Sequence, residues 1–223
     1  MGLHFLAITA ALAVRHLPQW LIDLHHIGRV RTATRPTPVG GVYVTLLYLA
    51  ICLPSLLELA RGVGTSITAM VSGLAAFGMG WSLGLTGLLA IRHYYAEDIS
   101  ICPGFKLVTT GIYRLIRHPI RLGLALEALG LALMSSSYAL LLVWLPMVAL
   151  QFVRSRQEDG FLREQLGDDA TQYQRLVPGF NLPLGLWRSL QALRARGDLR
   201  AARGNTAQTR SGMTGAAQSR PRL

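Results

Sequence analysis

The sequence predicts an all-α, polytopic integral membrane protein with four or five transmembrane helices and a short cytoplasmic amphipathic C-terminal helix. Three observations carry that reading. The 223 residues are 51% hydrophobic and only 15% charged, with mean hydropathy +0.37, whereas about a quarter of a soluble domain is charged. The apolar residues fall in blocks of spanning length. The basic residues gather in one set of loops.

The elements follow in chain order. Met1 to Val14 is apolar but short, and reads either as a span extended past Arg15 or as a segment lying in the interface. Ala11-Leu-Ala13 resembles a signal-peptide cleavage site. The segment before it lacks basic residues and Arg15 follows at once, so a signal peptide is rejected. Gly41 to Ala60 and Thr65 to Ile91 meet the roughly 20 apolar residues that a spanning helix needs. Ile120 to Ser135 and Ser137 to Val153 are shorter and read as a hairpin crossing and returning. Its first limb carries Arg121 and Glu127, and an acid at membrane depth requires a partner. Arg121 lies six residues before Glu127, so the two do not meet along one helix face. A contact from another span is expected instead.

Beyond the hairpin, Glu158, Phe161, Leu162 and Gln165 share one helical face. They predict a cytoplasmic continuation of the last span, ending near Gly167. The membrane domain is placed at residues 1–183, and a basic tail at 184–223. After Leu193 the tail has almost no large apolar residue and is expected to be disordered. Its eight Arg face Asp198 alone. A solvated tail is the plainest reading; contact with anionic headgroups is the alternative, and no specific nucleic-acid partner is expected.

The net charge of +11 comes from 21 Arg and the single Lys106. So strong an Arg bias points to genome composition, and with it to a bacterial inner membrane. The placement of the charges reports topology. Arg15, Arg29, Arg31 and Arg35 precede the first long span. Arg92, Lys106, Arg114 and Arg117 lie between the second span and the hairpin, and 12 Arg follow Val153. The other side receives only Arg61 and the uncharged Ser135-Ser-Ser137. By the positive-inside rule the long loops and the C-terminus are cytoplasmic.

Metal and redox chemistry find little support. Cys52 falls in a span and Cys102 in a loop, so the two cannot form a sensible disulfide. The six His lack ligand spacing around any Cys or carboxylate cluster. Glycine-rich phosphate loops and dinucleotide fingerprints are absent from the sequence.

Two polar clusters bracket the hairpin. The first is Phe105 to Arg121, FKLVTTGIYRLIRHPIR; the second is Arg154-Ser-Arg-Gln-Glu158-Asp159. Charged groups this close to a bilayer cost free energy unless paired or used. Pro119 suits the first position of a helix and holds His118 extended before it. Arg154 and Glu158 lie one turn apart on one face. Taken singly, the first cluster is an ordinary basic flank and the second pair a surface ion bridge worth a few tenths of a kcal/mol. Taken together they form a candidate reaction centre.

Leu107-Val108-Thr109, Gly111, Tyr113 and Arg117-His118-Pro119, then the hairpin, then Arg154, Arg156, Glu158-Asp159 and Leu162, with Gly167, Tyr173, Val177-Pro178 and Pro183, carry a resemblance. The string is similar to the isoprenylcysteine carboxyl methyltransferase family and its phospholipid methyltransferase relatives, small helical membrane enzymes that use S-adenosyl-L-methionine. It covers residues 105–183, about a third of the chain. The resemblance implies cofactor contacts from Lys106, Leu107, Val108, Tyr113, His118, Pro119, Ile120, Arg121 and Glu158. It also implies a substrate contact and catalytic role for Arg154, and a lipophilic small-molecule or lipid acceptor.

The chain departs from that pattern in four places. Arg121 stands where the family usually has Tyr, and Phe105 where His is common. The acidic pair is Glu-Asp, and Ala170 replaces the first Tyr of a Gly-x-x-Tyr-x-x-Tyr. The added cation at 121 fits either a more anionic substrate or a lost cofactor contact. Two rival functions stand beside methyl transfer: a non-catalytic adaptor using the basic tail, and a sterol-reductase-like enzyme using a reduced nicotinamide dinucleotide.

Overall fold

A computed structural model describes residues 41–61, 66–92, 104–192 and a few isolated positions outside those ranges. The stretch Met1 to Val14, Cys102 and the end of the tail therefore fall wholly or largely outside the described residues. The principal elements are α1 (Gly41–Arg61), α2 (Ile67–Ile91), a 3₁₀ turn at Gly111–Arg114, α3 (Pro119–Met134), α4 (Tyr138–Leu166) and α5 (Asp168–Leu176). Apart from a two-residue antiparallel pairing of Ala33–Thr34 with Ser100–Ile101, the described elements are helical.

Each boundary has a local cause. Ser66 caps α2, its hydroxyl accepting from the Ala69 N–H at 3.1 Å and so satisfying a donor that the first turn leaves open. Pro119 opens α3, where a missing N–H removes nothing. The serine cluster makes the hairpin turn, with Ser136 in the left-handed region at φ 53°. Gly167, at φ 58°, ends α4 and starts α5; a side chain there would be strained. Asp168 and Asp169 in the first turn of α5, and Arg175 in its last, complement the helix dipole.

Among the described residues two helices, α2 and α4, are long and apolar enough to cross a membrane. At 1.5 Å per residue the 29 residues of α4 reach about 43 Å, beyond a hydrocarbon core of roughly 30 Å. Its polar C-terminal part, carrying Arg154 to Glu164, thus extends past the apolar run. Large apolar side chains such as Val71, Leu53 and Leu142 point outward at 61–71% exposure. That surface suits a lipid environment rather than water.

Glycines set the tightest packing, between α2 and α3. A Cβ placed on Gly123 would lie 2.7 Å from the Gly80 carbonyl oxygen and 2.7 Å from the Gly84 nitrogen; one on Gly130 would lie 2.6 Å from the Gly73 oxygen. The backbones touch where side chains normally stand, a packing that small residues permit inside membranes. Around this seam lie Ile51, Phe77, Ala128, Leu131, Met134 and Met147. Trp144 donates to the Ala125 carbonyl at 2.7 Å, tying α4 to α3. Glu127 is fully buried and accepts from the Tyr48 hydroxyl of α1 at 2.9 Å. The acid on the hairpin's first limb thus has the partner on another helix that its burial demanded.

The chain divides into two compact units, residues 1–180 and 181–223. The second opens on a helix, ahead of the stretch after Leu193 for which disorder is expected. Residues 182–192 are helical, and the Asn181 side chain accepts from the Leu184 N–H at 2.9 Å. Leu184, Leu186, Trp187 and Leu190 supply an apolar side. That composition persists only to Leu193, so the shift to Arg, Gly and Ser begins later than Leu184.

Candidate functional site

The site begins at the entrance to α3. The 3₁₀ turn buries Tyr113, whose carbonyl accepts from the Tyr173 hydroxyl at 2.7 Å. Burial raises the Tyr173 hydroxyl pKa above its ordinary value, so that group serves as a neutral donor at physiological pH. The Arg117 and His118 N–H groups donate to the Pro178 and Gly179 carbonyls at 3.0 and 3.2 Å. The segment after α5 therefore folds back onto the helix entrance. These bonds hold His118 at φ −121° and ψ 57°, short of the fully extended conformation that Pro119 alone suggests. The His118 ring lies 5.4 Å from that of Phe180, which is 6.0 Å from Phe152 on α4.

Across the hairpin, α4 presents the acidic pair. Asp159 takes the Arg117 guanidinium at 2.7 Å on one oxygen and His118 Nε2 at 3.2 Å on the other. An ionised carboxylate only accepts, so the hydrogen of this pair resides on Nε2. Gln174 Nε2 donates to the Asp159 carbonyl at 2.8 Å, linking α5 to the same turn. Glu158 receives Arg121 Nη2 at 2.6 Å and Nε at 3.2 Å. Its carboxylate also lies 3.8 Å from His118 Nδ1. The imidazole thus sits between both acids, and residues 37 to 41 positions apart in sequence form one polar cluster.

Burial pushes the Glu158 carboxyl pKa up, but the charges of Arg121, His118 and Arg154 outweigh it. The net effect holds Glu158 below the usual carboxylate value. Glu158 is ionised at neutral pH while keeping about a third of its side chain exposed. It can therefore accept from a cation or from hydroxyl groups brought to it.

The residues proposed from the sequence divide into two groups. His118, Arg121 and Glu158 are joined by direct contacts, and the buried Arg154 lies near enough for its charge to stabilise ionised Glu158. Tyr113 packs beneath the turn. Lys106 is exposed, and Leu107 and Val108 are half-buried, in the segment that leads into the turn. Pro119 and Ile120 are buried against α2, where a Cβ on Gly87 would lie 2.9 Å from each of their side chains. Of the residues expected to share one face of the α4 extension, Phe161 is buried, Leu162 half-buried and Gln165 exposed. A shallow groove of about 440 Å³, lined by Phe152, Val153, Arg156, Gln157, Gly160 and Glu164, runs along another face of α4.

Three contributors escaped the sequence reading. Asp159 stands in the second cluster with no role assigned by the resemblance, yet it is where Arg117 and His118 meet. Phe180 carried no motif. Gln151 is buried at 3% exposure and accepts from Arg121 Nη1 at 3.4 Å. It precedes Arg154 by three residues and Glu158 by seven, a helical repeat that marks it as sharing their face.

Residues 63–169 match the family model for phospholipid methyltransferase. The matched segment takes in α2, the helix entrance at Arg117-His118-Pro119, the hairpin, and Glu158 and Asp159. No curated protein matches the chain at a significant level.

Proposed function

We propose that this chain is an integral membrane methyltransferase that uses S-adenosyl-L-methionine to methylate a lipophilic or membrane-partitioned acceptor. The acceptor group is a carboxylate of an isoprenoid-like compound or a lipid headgroup. The single observation behind the reading is the polar cluster that brings His118 and Arg121 to Glu158 across the hairpin, inside the segment matched by the methyltransferase family. Four or five helices would cross the membrane, with the cluster and the C-terminus on the cytoplasmic side.

The residues fit the cofactor's chemistry. S-adenosyl-L-methionine supplies an activated methyl group on a sulfonium, together with an ammonium, a carboxylate, ribose hydroxyls and a flat base. Glu158, ionised and a third exposed, accepts from the ammonium or the hydroxyls. His118 and the N–H groups of the 105–108 segment would hold the carboxylate. Arg154, within the same buried layer, grips the acceptor with paired bonds and keeps its charge at all relevant pH values. Methyl transfer to a carboxylate needs little acid–base help, so positioning and water exclusion carry the rate.

The test is incubation of membranes containing the protein with radiolabelled methyl donor, followed by separation of lipid, protein and volatile products. Label in the lipid or lipophilic fraction, dependent on intact Glu158, is expected. Absence of label from every fraction would remove the proposed activity.

A further inference from the structure

We infer that Arg121 and Gln151 form a seat for an anionic group on the acceptor, and that Glu158 couples the filling of that seat to donor binding. The inference rests on the methyltransferase reading and narrows its acceptor to an anionic amphiphile.

Gln151 is the first indication. Its amide is almost wholly buried, and while its oxygen accepts from Arg121, its Nε2 has no hydrogen-bond partner among the described residues. A buried amide donor left unmade is costly, and such a group marks a place where a ligand atom is missing. It lies within the apolar run of α4, just before the polar cluster begins. The head of an amphiphile whose tail lies among the apolar helices would arrive there.

Charge gives the ligand its sign. Arg117, Arg121 and Arg154 face Glu158 and Asp159, and His118 sits between the acids. Arg121 is only 16% exposed, and its fork matches a carboxylate or a phosphate. A cationic or neutral head gains nothing from it.

Coupling follows from competition for one carboxylate. Glu158 now engages Arg121 at 2.6 Å, and on the proposed function it must also receive the donor's ammonium or hydroxyls. When the donor draws on Glu158, the Arg121 pair weakens and a half-buried cation is left under-compensated, which is costly. An acceptor anion placed against Arg121 and Gln151 Nε2 relieves that cost. Each ligand therefore strengthens the other, by the same factor in both directions.

The experiment is calorimetric titration of S-adenosyl-L-methionine into full-length protein in neutral detergent, with oleate, dodecyl phosphate or oleyl alcohol added. Oleate or dodecyl phosphate should tighten donor binding at least fivefold, and oleyl alcohol should not; the anion with the larger effect identifies carboxylate or phosphate as the preferred head. In Arg121→Gln the ratio of affinities with and without the anion should fall to about one, whatever the basal affinity. Gln151→Leu should at least halve that ratio, and it serves as the readout if Arg121→Gln fails to fold. Equal tightening by oleyl alcohol, or an undiminished ratio in the variants, would overturn the seat while leaving the methyltransferase reading intact. No donor binding by the wild-type protein under any condition would overturn both.

Discussion

At the residue scale, Glu158 decides most of the site's electrostatics. It is held ionised against the tendency of burial by Arg121, His118 and Arg154. A folded-state pKa below the unfolded value means that the contribution of ionised Glu158 to stability is complete above about pH 4.3. It is lost as pH falls through the lower, folded value. Partial exposure keeps that contribution modest. Thermal melts of wild type and Glu158→Gln should therefore show a gap that is constant from pH 7 to pH 5 and shrinks by roughly 2 °C below pH 4. A gap that widened on acidification would mean that Glu158 is not held ionised by its neighbours. The neighbouring Asp159 teaches a different lesson. The sequence marks both acids and the Arg-His-Pro string, but not which acid meets which base. That assignment follows from how α3 and α4 align, and no spacing within either cluster contains it.

At the scale of elements, the hairpin was readable almost residue by residue. The apolar runs 120–135 and 137–153 became α3 and the membrane part of α4, Pro119 opened the first, and Gly167 closed the extension. The α2–α3 contact was not read, although its signal was present in Gly73, Gly80, Gly84, Gly123 and Gly130. Apolar blocks show that helices span, while small residues at seven- and four-residue spacing show which faces meet. This seam also holds the entrance of α3, and with it His118 and Arg121, in register with the rest. Gly123→Val should destabilise the protein by about 1–3 kcal/mol, because its side chain would meet the Gly80 backbone. Gly78→Ala, whose new Cβ has nothing within 4 Å, should be neutral. Unfolding in mixed micelles measures both, and equal stability of the two variants would show that the close approach is not needed.

At the scale of the whole molecule, composition announced a membrane protein, and the two longest apolar helices agree with it. What composition could not announce was the path of the chain after the last span. The return of Pro178 and Gly179 to the α3 entrance is made through backbone atoms, which leave little trace in side-chain pattern beyond the Val177-Pro178 pair. That return completes the polar cluster and places Phe180 against His118. The central claim is that segments on both sides of the hairpin hold one methyl donor. Its most direct measurement is the affinity of purified protein for S-adenosyl-L-methionine in wild type, His118→Ala and Glu158→Ala. Each substitution should weaken binding at least tenfold, about 1.4 kcal/mol; unchanged affinity in both, with the wild-type protein binding normally, would contradict the claim.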